Sequence, residues 1–228
     1  MPLFISHISY LSKFWKAACY PDQYLRDGIF GTSFPDIRYL IGQSRVVTHL
    51  EGLYKEKTYG PLFLQLSEVL NEKLASPDGE SQRFKYFKAG FVFHIILDKW
   101  WSSKISFKSD FKLFGMCLKF LDEQLRWNTF GQNISYIGTL DMKVSFADIP
   151  EQTVGQWYSF LSGYLRIPPT PESAKSVLVK KLKMDPVLAR QAKEEIKKIR
   201  NNPEIVTKLN EMFESFEWDK ISGESILS

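Results

Sequence analysis

The 228-residue chain contains only two cysteines, three histidines and no block of five or six like charges. Cys19 and Cys117 show no CxxC spacing and no Cys/His grouping, which excludes a disulfide scaffold and reads as two reduced, mostly buried thiols in a reducing, cytoplasmic compartment. Long apolar runs are missing as well. The longest, Ala89 to Leu97, is interrupted by His94 and falls short of the ~18 to 20 residues of a membrane span. The first twenty residues have no basic start ahead of an apolar stretch, and Lys16-Ala17-Ala18 before Cys19 is a poor lipoprotein cleavage context, so no export signal is expected. Strand patterning is scarce, which argues against a sheet protein.

What is present is aromatic mass and helical periodicity. The chain carries 6 Trp, 10 Tyr and 18 Phe, and 31 of these 34 rings precede residue 171, so the core is expected in the first three quarters. Apolar residues recur at spacings of three and four between cap and breaker residues, which predicts an all-α fold. Thr48 with Glu51 forms a capping-box pattern that predicts a helix opening at His49 and ending at Tyr59-Gly60-Pro61, where Pro61 starts a second helix to about Leu74. Further helices are predicted from about Ser81 to Trp101, with Phe84, Phe87, Phe91, Ile95 and Asp98 on one broad face, and from Asp110 to about Arg126. Residues 127–149 carry no clear pattern, and 150–165 reads as a helix with Trp157, Leu161 and Tyr164 inward.

Pro168-Pro169-Thr170-Pro171 reads as a stiff linker, dividing a helical metal-binding domain, 1–167, from a helical extension, 172–228. In the extension Asp185-Pro186 and Asn202-Pro203 each supply an N-cap and a first-turn proline, and three short amphipathic helices are expected to pack back on the main domain rather than to serve a partner or a membrane surface. The net charge of +4 divides as +3 before residue 171 and +1 after it, and does not by itself decide for or against nucleic acid.

The histidines carry the chemistry. His94 and Asp98 lie four apart on one helix, so an imidazole nitrogen and a carboxylate oxygen can converge on one cation. Upstream, Pro35 is expected to hold Phe34 extended and Asp36 on a fixed turn. The order His7, Pro35-Asp36-Ile37, Thr48-His49, then Gly90-x3-His94-x3-Asp98 resembles the zinc-dependent phospholipase C family, whose superfamily includes trinuclear-zinc single-strand nucleases. The resemblance spans roughly residues 1–101. It implies His49, His94 and Asp98 as ligands of one zinc, with Asp98 bridging to a second held by His7, and Asp36 as the carboxylate that activates the attacking water.

The same resemblance implies hydrolysis of a phosphoester, such as a phospholipid head group or related phosphodiester, with transient contact at a membrane surface. The trinuclear members use an amino-terminal Trp and later histidines as ligands. Here His7 is preceded by Met1 to Ser6 and no histidine follows His94, so at most two ions are expected. Imidazole and carboxylate ligands also suit other transition metals. Arg38 and Arg45 flank the motif and read as solvated surface residues, and Trp100-Trp101 reads chiefly as core. Nucleophilic triads are disfavoured because no Gly-x-Ser-x-Gly elbow exists. The rival expectation is a non-catalytic helical binding or scaffolding protein that retains part of the metal site.

Overall fold

The structure is a computed structural model that describes residues 3–55, 58–76, 79–104, 111–134, 143–146, 149–170, 179 and 185–216. It is predominantly helical: α1 (Phe4–Ala17), α2 (Leu25–Ser33), α3 (Arg38–Ile41), α4 (Arg45–Thr48), α5 (Tyr59–Lys73), α6 (Gln82–Lys104), α7 (Phe111–Ile134), α8 (Glu151–Tyr164), α9 (Pro186–Ile199) and α10 (Pro203–Glu214). One small antiparallel sheet pairs β1 (Leu74–Ala75) with β2 (Ser145–Phe146). The all-α expectation holds, and none of the described helices is long and apolar enough to cross a membrane.

The helix α6 is the axis of the fold. Buried residues run all round it, from Phe84 to Trp101, because α1, α2 and α5 all pack against it. The single broad face expected from Phe84, Phe87, Phe91, Ile95 and Asp98 is one side of a fully enclosed helix. Against it α2 lies backbone to backbone. A Cβ on Gly31 would fall 1.9 Å from the Phe87 carbonyl oxygen, and one on Gly90 would fall 2.0 Å from that of Gly28. Only hydrogen in place of a side chain permits this crossing, which gives Gly90 of the sequence motif a packing reason. The crossing also brings the end of α2 and the turn after it to His94.

A second tie fixes α1. Its N-cap position, Leu3, offers no side-chain acceptor to the first-turn amides. Glu123 of α7 fills that role from a distance: Oε1 accepts from Ile5 N at 2.9 Å and Oε2 from Ser6 N at 2.8 Å, while Tyr164 of α8 donates its hydroxyl to Oε1 at 2.9 Å. Glu123 is fully buried. Burial pushes its pKa up to about 7, against the pull of those three hydrogen bonds, with Asp122 adding to the rise.

Several expectations require correction. No helix opens at His49. The helix there is α4, capped by Ser44 accepting from Val46 N, and His49 closes it. Leu50 then adopts φ +57° and Gly52 φ +90°, which end any helical path, and Glu51 accepts from Arg45 Nε instead of serving a capping box. Phe34 is not extended: at φ −64° and ψ −39° it starts a 3-10 turn, Phe34–Ile37, where Pro35 sits in the first turn and needs no amide donor. The helix α7 continues to Ile134, past the expected end near Arg126. Cys117 is buried, but Cys19 is exposed. Trp100 and Trp101 are both core residues.

In the carboxy-terminal part, Asp185 accepts from Val187 N and Asn202 from Glu204 N and Ile205 N, so both caps form as their prolines suggest. The helix α9 packs on α7, and Phe213 and Phe216 join the central core through edge-on ring contacts with Tyr10 and Trp100. Of the first of the three tail helices expected, only residue 179 is among the described residues, and Pro171 lies outside them.

Candidate metal centre

Each element contributes one or two groups to a buried cluster. The α1 helix carries His7, the 3-10 turn carries Asp36, the end of α4 carries His49, and α6 carries His94 and Asp98 one turn apart. All five are at most 1% exposed. His94 Nε2 and His49 Nε2 stand 3.1 Å apart, and each is 3.5 Å from Asp98 Oδ2. His7 Nε2 is 3.1 Å from Asp98 Oδ1, and its ring stacks on that of His94 with centroids 4.0 Å apart and planes at 4°. Asp36 Oδ1 is 4.0 Å from His49 Nε2 and has no hydrogen-bond partner.

The ring nitrogens facing away from the cluster are anchored. His7 Nδ1 donates to the Leu3 carbonyl at 2.9 Å and His94 Nδ1 to the Thr32 carbonyl at 2.6 Å; a carbonyl can only accept, so Nδ1 carries the hydrogen in both. His49 Nδ1 lies 3.1 Å from the Thr48 hydroxyl. The three Nε2 atoms therefore point at one another and at two carboxylates. Back-bonded imidazoles of this kind are the arrangement in which histidine binds metal.

Electrostatics sharpen the case. Burial lowers the pKa of His7, and the neighbouring His94 lowers it further, against the pull of Asp98. Burial tends to raise the pKa of Asp98, but His94 and hydrogen bonds from His49, His7 and His94 hold it well below the usual carboxylate range. With Nδ1 donating to Leu3, a hydrogen bond from His7 Nε2 to Asp98 needs a protonated ring, whereas burial favours a neutral His7, whose lone pair would face the carboxylate at 3.1 Å, an acceptor against an acceptor. Likewise, at most one hydrogen can lie between the Nε2 atoms of His49 and His94. A cation relieves both conflicts. Tetrahedral ligands ~2.0 to 2.2 Å from an ion are separated by about 3.3 to 3.6 Å, which overlaps the 3.1 to 3.5 Å spacings here.

Two triads, His7–His94–Asp98 and Asp36–His49–His94, each place their ligand atoms within 4.8 Å of one another. The donor set of imidazole and carboxylate thus fits a transition metal. The five residues singled out in the sequence are all brought together.

Other members were not legible beforehand. Arg45, expected as a surface residue, donates from a terminal nitrogen to Asp98 Oδ2 at 2.6 Å. Arg38 donates to the Tyr39 hydroxyl at 2.6 Å, and its Nε lies 3.7 Å from Asp36 Oδ1. Lys119 of α7 is partly buried; desolvation lowers its pKa, and Asp98 and Asp36 oppose the shift. No periodicity links Lys119 to residues 36 and 98.

The fold and the cluster define an all-α protein with a buried His/Asp centre able to hold a metal ion. Comparisons with protein-family models, curated proteins and solved structures found no match to this chain.

Proposed function

We propose that the protein is a metal-dependent phosphoester hydrolase related to the zinc-dependent phospholipases C, acting on a phospholipid head group or a related phosphodiester. The supporting observation is the convergence of His7, Asp36, His49, His94 and Asp98, the five residues on which the family resemblance rests, in one buried cluster. Zinc held there supplies a Lewis acid that polarises a phosphoryl oxygen and acidifies water at neutral pH.

The chain's own groups divide the remaining work. Leu3 and Thr32 carbonyls orient His7 and His94, and the Arg45 guanidinium orients Asp98. Asp36 is the catalytic base, because Oδ1 is buried, unpartnered and directed toward the cluster. In hydrolysis the water oxygen forms a bond to phosphorus, its proton moves to Asp36 Oδ1, the bond from phosphorus to the leaving oxygen breaks, and the proton passes to the departing alcohol.

The test has two stages. Protein purified without chelator is analysed for metal, where about one equivalent or more supports the centre and less than roughly a tenth of an equivalent overturns it. Artificial phosphodiesters, monoesters and phosphatidylcholine are then assayed with and without added zinc. Asp36→Asn should lower kcat by about 10²- to 10⁴-fold with metal retained. Turnover left intact by both Asp36→Asn and His94→Ala would refute the site. Metal without turnover on any ester would instead mark a metal-stabilised helical interaction domain.

A further inference from the structure

The segment that supplies His49 to the centre has two unlike sides. Ser44 caps α4, Arg45 Nε donates to Glu51 Oε1, and Leu53 N donates to the Leu50 carbonyl at 3.0 Å, so residues 44–53 form one compact knuckle. Its inner residues, Thr48, His49 and Leu50, are buried. Its outer residues are aliphatic: Val46, Val47 and Leu53 are 55%, 41% and 50% exposed. The left-handed conformation of Leu50, unfavourable for any residue with a Cβ, and that of Gly52 turn the chain so that Leu50 is buried and Leu53 stands in water. Arg45 links the two sides, since it reaches Asp98 Oδ2 at 2.6 Å while its own side chain is still 30% exposed.

Scattered apolar side chains on a surface carry no meaning, but a group of them does. Among the described residues six large apolar side chains are exposed, and three of them fall within residues 46–53; the others, Leu64, Ile167 and Val187, are spread over α5, the chain after α8, and α9. The charges the segment carries lean positive. Glu51 is the sole acid in 44–55 and is taken by Arg45, whereas Lys55 is exposed and the Lys99 ammonium lies 5.5 Å from the centre of the half-buried Tyr54 ring. Protein interfaces are anchored by exposed Trp, Tyr and Arg, with Val and Leu under-represented. Here Tyr54 is half-buried and Arg45 is tied to Asp98 and Glu51. Short aliphatic chains bordered by lysine suit a lipid surface instead: the chains enter the acyl boundary while the ammonium groups meet the phosphates.

Resting on the phospholipid reading above, we infer that Val46, Val47 and Leu53, with Lys55 and Lys99 at their border, form the surface by which the protein docks on an anionic lipid bilayer, bringing the metal centre to the head groups. Docking belongs to this outer face and requires no turnover, so it is measured apart from hydrolysis.

The test is flotation of the full chain, purified without chelator, with vesicles of phosphatidylcholine alone or with about half phosphatidylglycerol. It compares wild type, Val46→Ser, Leu53→Ser and, as a control on α9, Val187→Ser, with metal content and urea midpoint measured for each. Wild type should bind the anionic vesicles about ten-fold more tightly than the neutral ones. Val46→Ser and Leu53→Ser should each weaken binding by about ten-fold at unchanged metal content and urea midpoint, while Val187→Ser binds like wild type. Leu53→Trp should bind at least as tightly as wild type and gain emission that brominated acyl chains quench. Absence of vesicle binding by wild type, binding left intact in Val46→Ser and Leu53→Ser, or equal weakening by Val187→Ser overturns the surface. Dimerisation that Leu53→Ser abolishes, in a protein that ignores vesicles, assigns the face to a second copy and overturns it too. Vesicle binding as expected by a protein that hydrolyses no ester upholds the docking surface and refutes the phosphoester reading; hydrolysis of soluble esters by a protein that ignores vesicles does the reverse.

Discussion

Glu123 offers the most direct check on how the site is held, because it clamps the start of α1, the helix that carries His7. Its carboxyl has an ordinary value of 4.5 and burial raises it to about 7 in the fold. Between these values the folded chain keeps a proton that the unfolded chain has released, so stability falls as pH rises through the interval and levels off above it. Worked through the linkage relation, the loss between pH 5 and pH 8 is about 2.5 kcal/mol from this group alone. Glu123→Gln removes the titration but not the bulk. The amide can no longer present two acceptors, so one first-turn amide of α1 goes unmatched, at about 1 to 3 kcal/mol across the whole range. Urea unfolding at pH 5, 6, 7 and 8, with chelator present so that metal ligands do not contribute, should give a wild-type curve about 2.5 kcal/mol steeper than that of the variant. Parallel curves, agreeing within about 0.5 kcal/mol after a constant offset, would refute the linkage reasoning even if the variant were less stable.

Two other predictions concern packing and thiol chemistry. Gly90→Ala, whose Cβ would meet the Gly28 carbonyl oxygen at 2.0 Å, should lower unfolding free energy by about 3 kcal/mol or more, whereas Gly115→Ala, with nothing within 4 Å, should raise it by about 0.5 to 1 kcal/mol; equal effects in urea titration would count against the α2–α6 crossing. Burial raises the Cys117 thiol pKa to about 11, while Cys19 is exposed, so an aromatic disulfide reagent at pH 8 should titrate one thiol in the native protein and two in denaturant. Two fast-reacting native thiols would place Cys117 outside the core.

Local sequence settled the local features. Helical spacing announced α6 and α8, the Asp185-Pro186 and Asn202-Pro203 pairs announced the starts of α9 and α10, and the four-residue step from His94 to Asp98 placed both on one face. These depend on backbone geometry within a turn or two, which a short window contains. The same window misled at His49, because the capping-box pattern cannot show that Glu51 would be drawn to Arg45 or that Leu50 would take a left-handed conformation. It misled also at Pro35, where the α2–α6 crossing and core burial continue the chain into a 3-10 turn.

What turned the candidate residues into a centre was decided only in three dimensions. His7 meets Asp98 across 91 residues of sequence, Arg45 meets Asp98 across 53, and Glu123 caps α1 across 118. Such pairings arise when helices pack, and their strength comes from the removal of water around groups that periodicity records only as polar interruptions of an apolar face. Arg38 and Arg45 belong to this class. As isolated residues they read as surface charge, and it is the burial of Asp36 and Asp98 beneath them that gives their positive charge a direction.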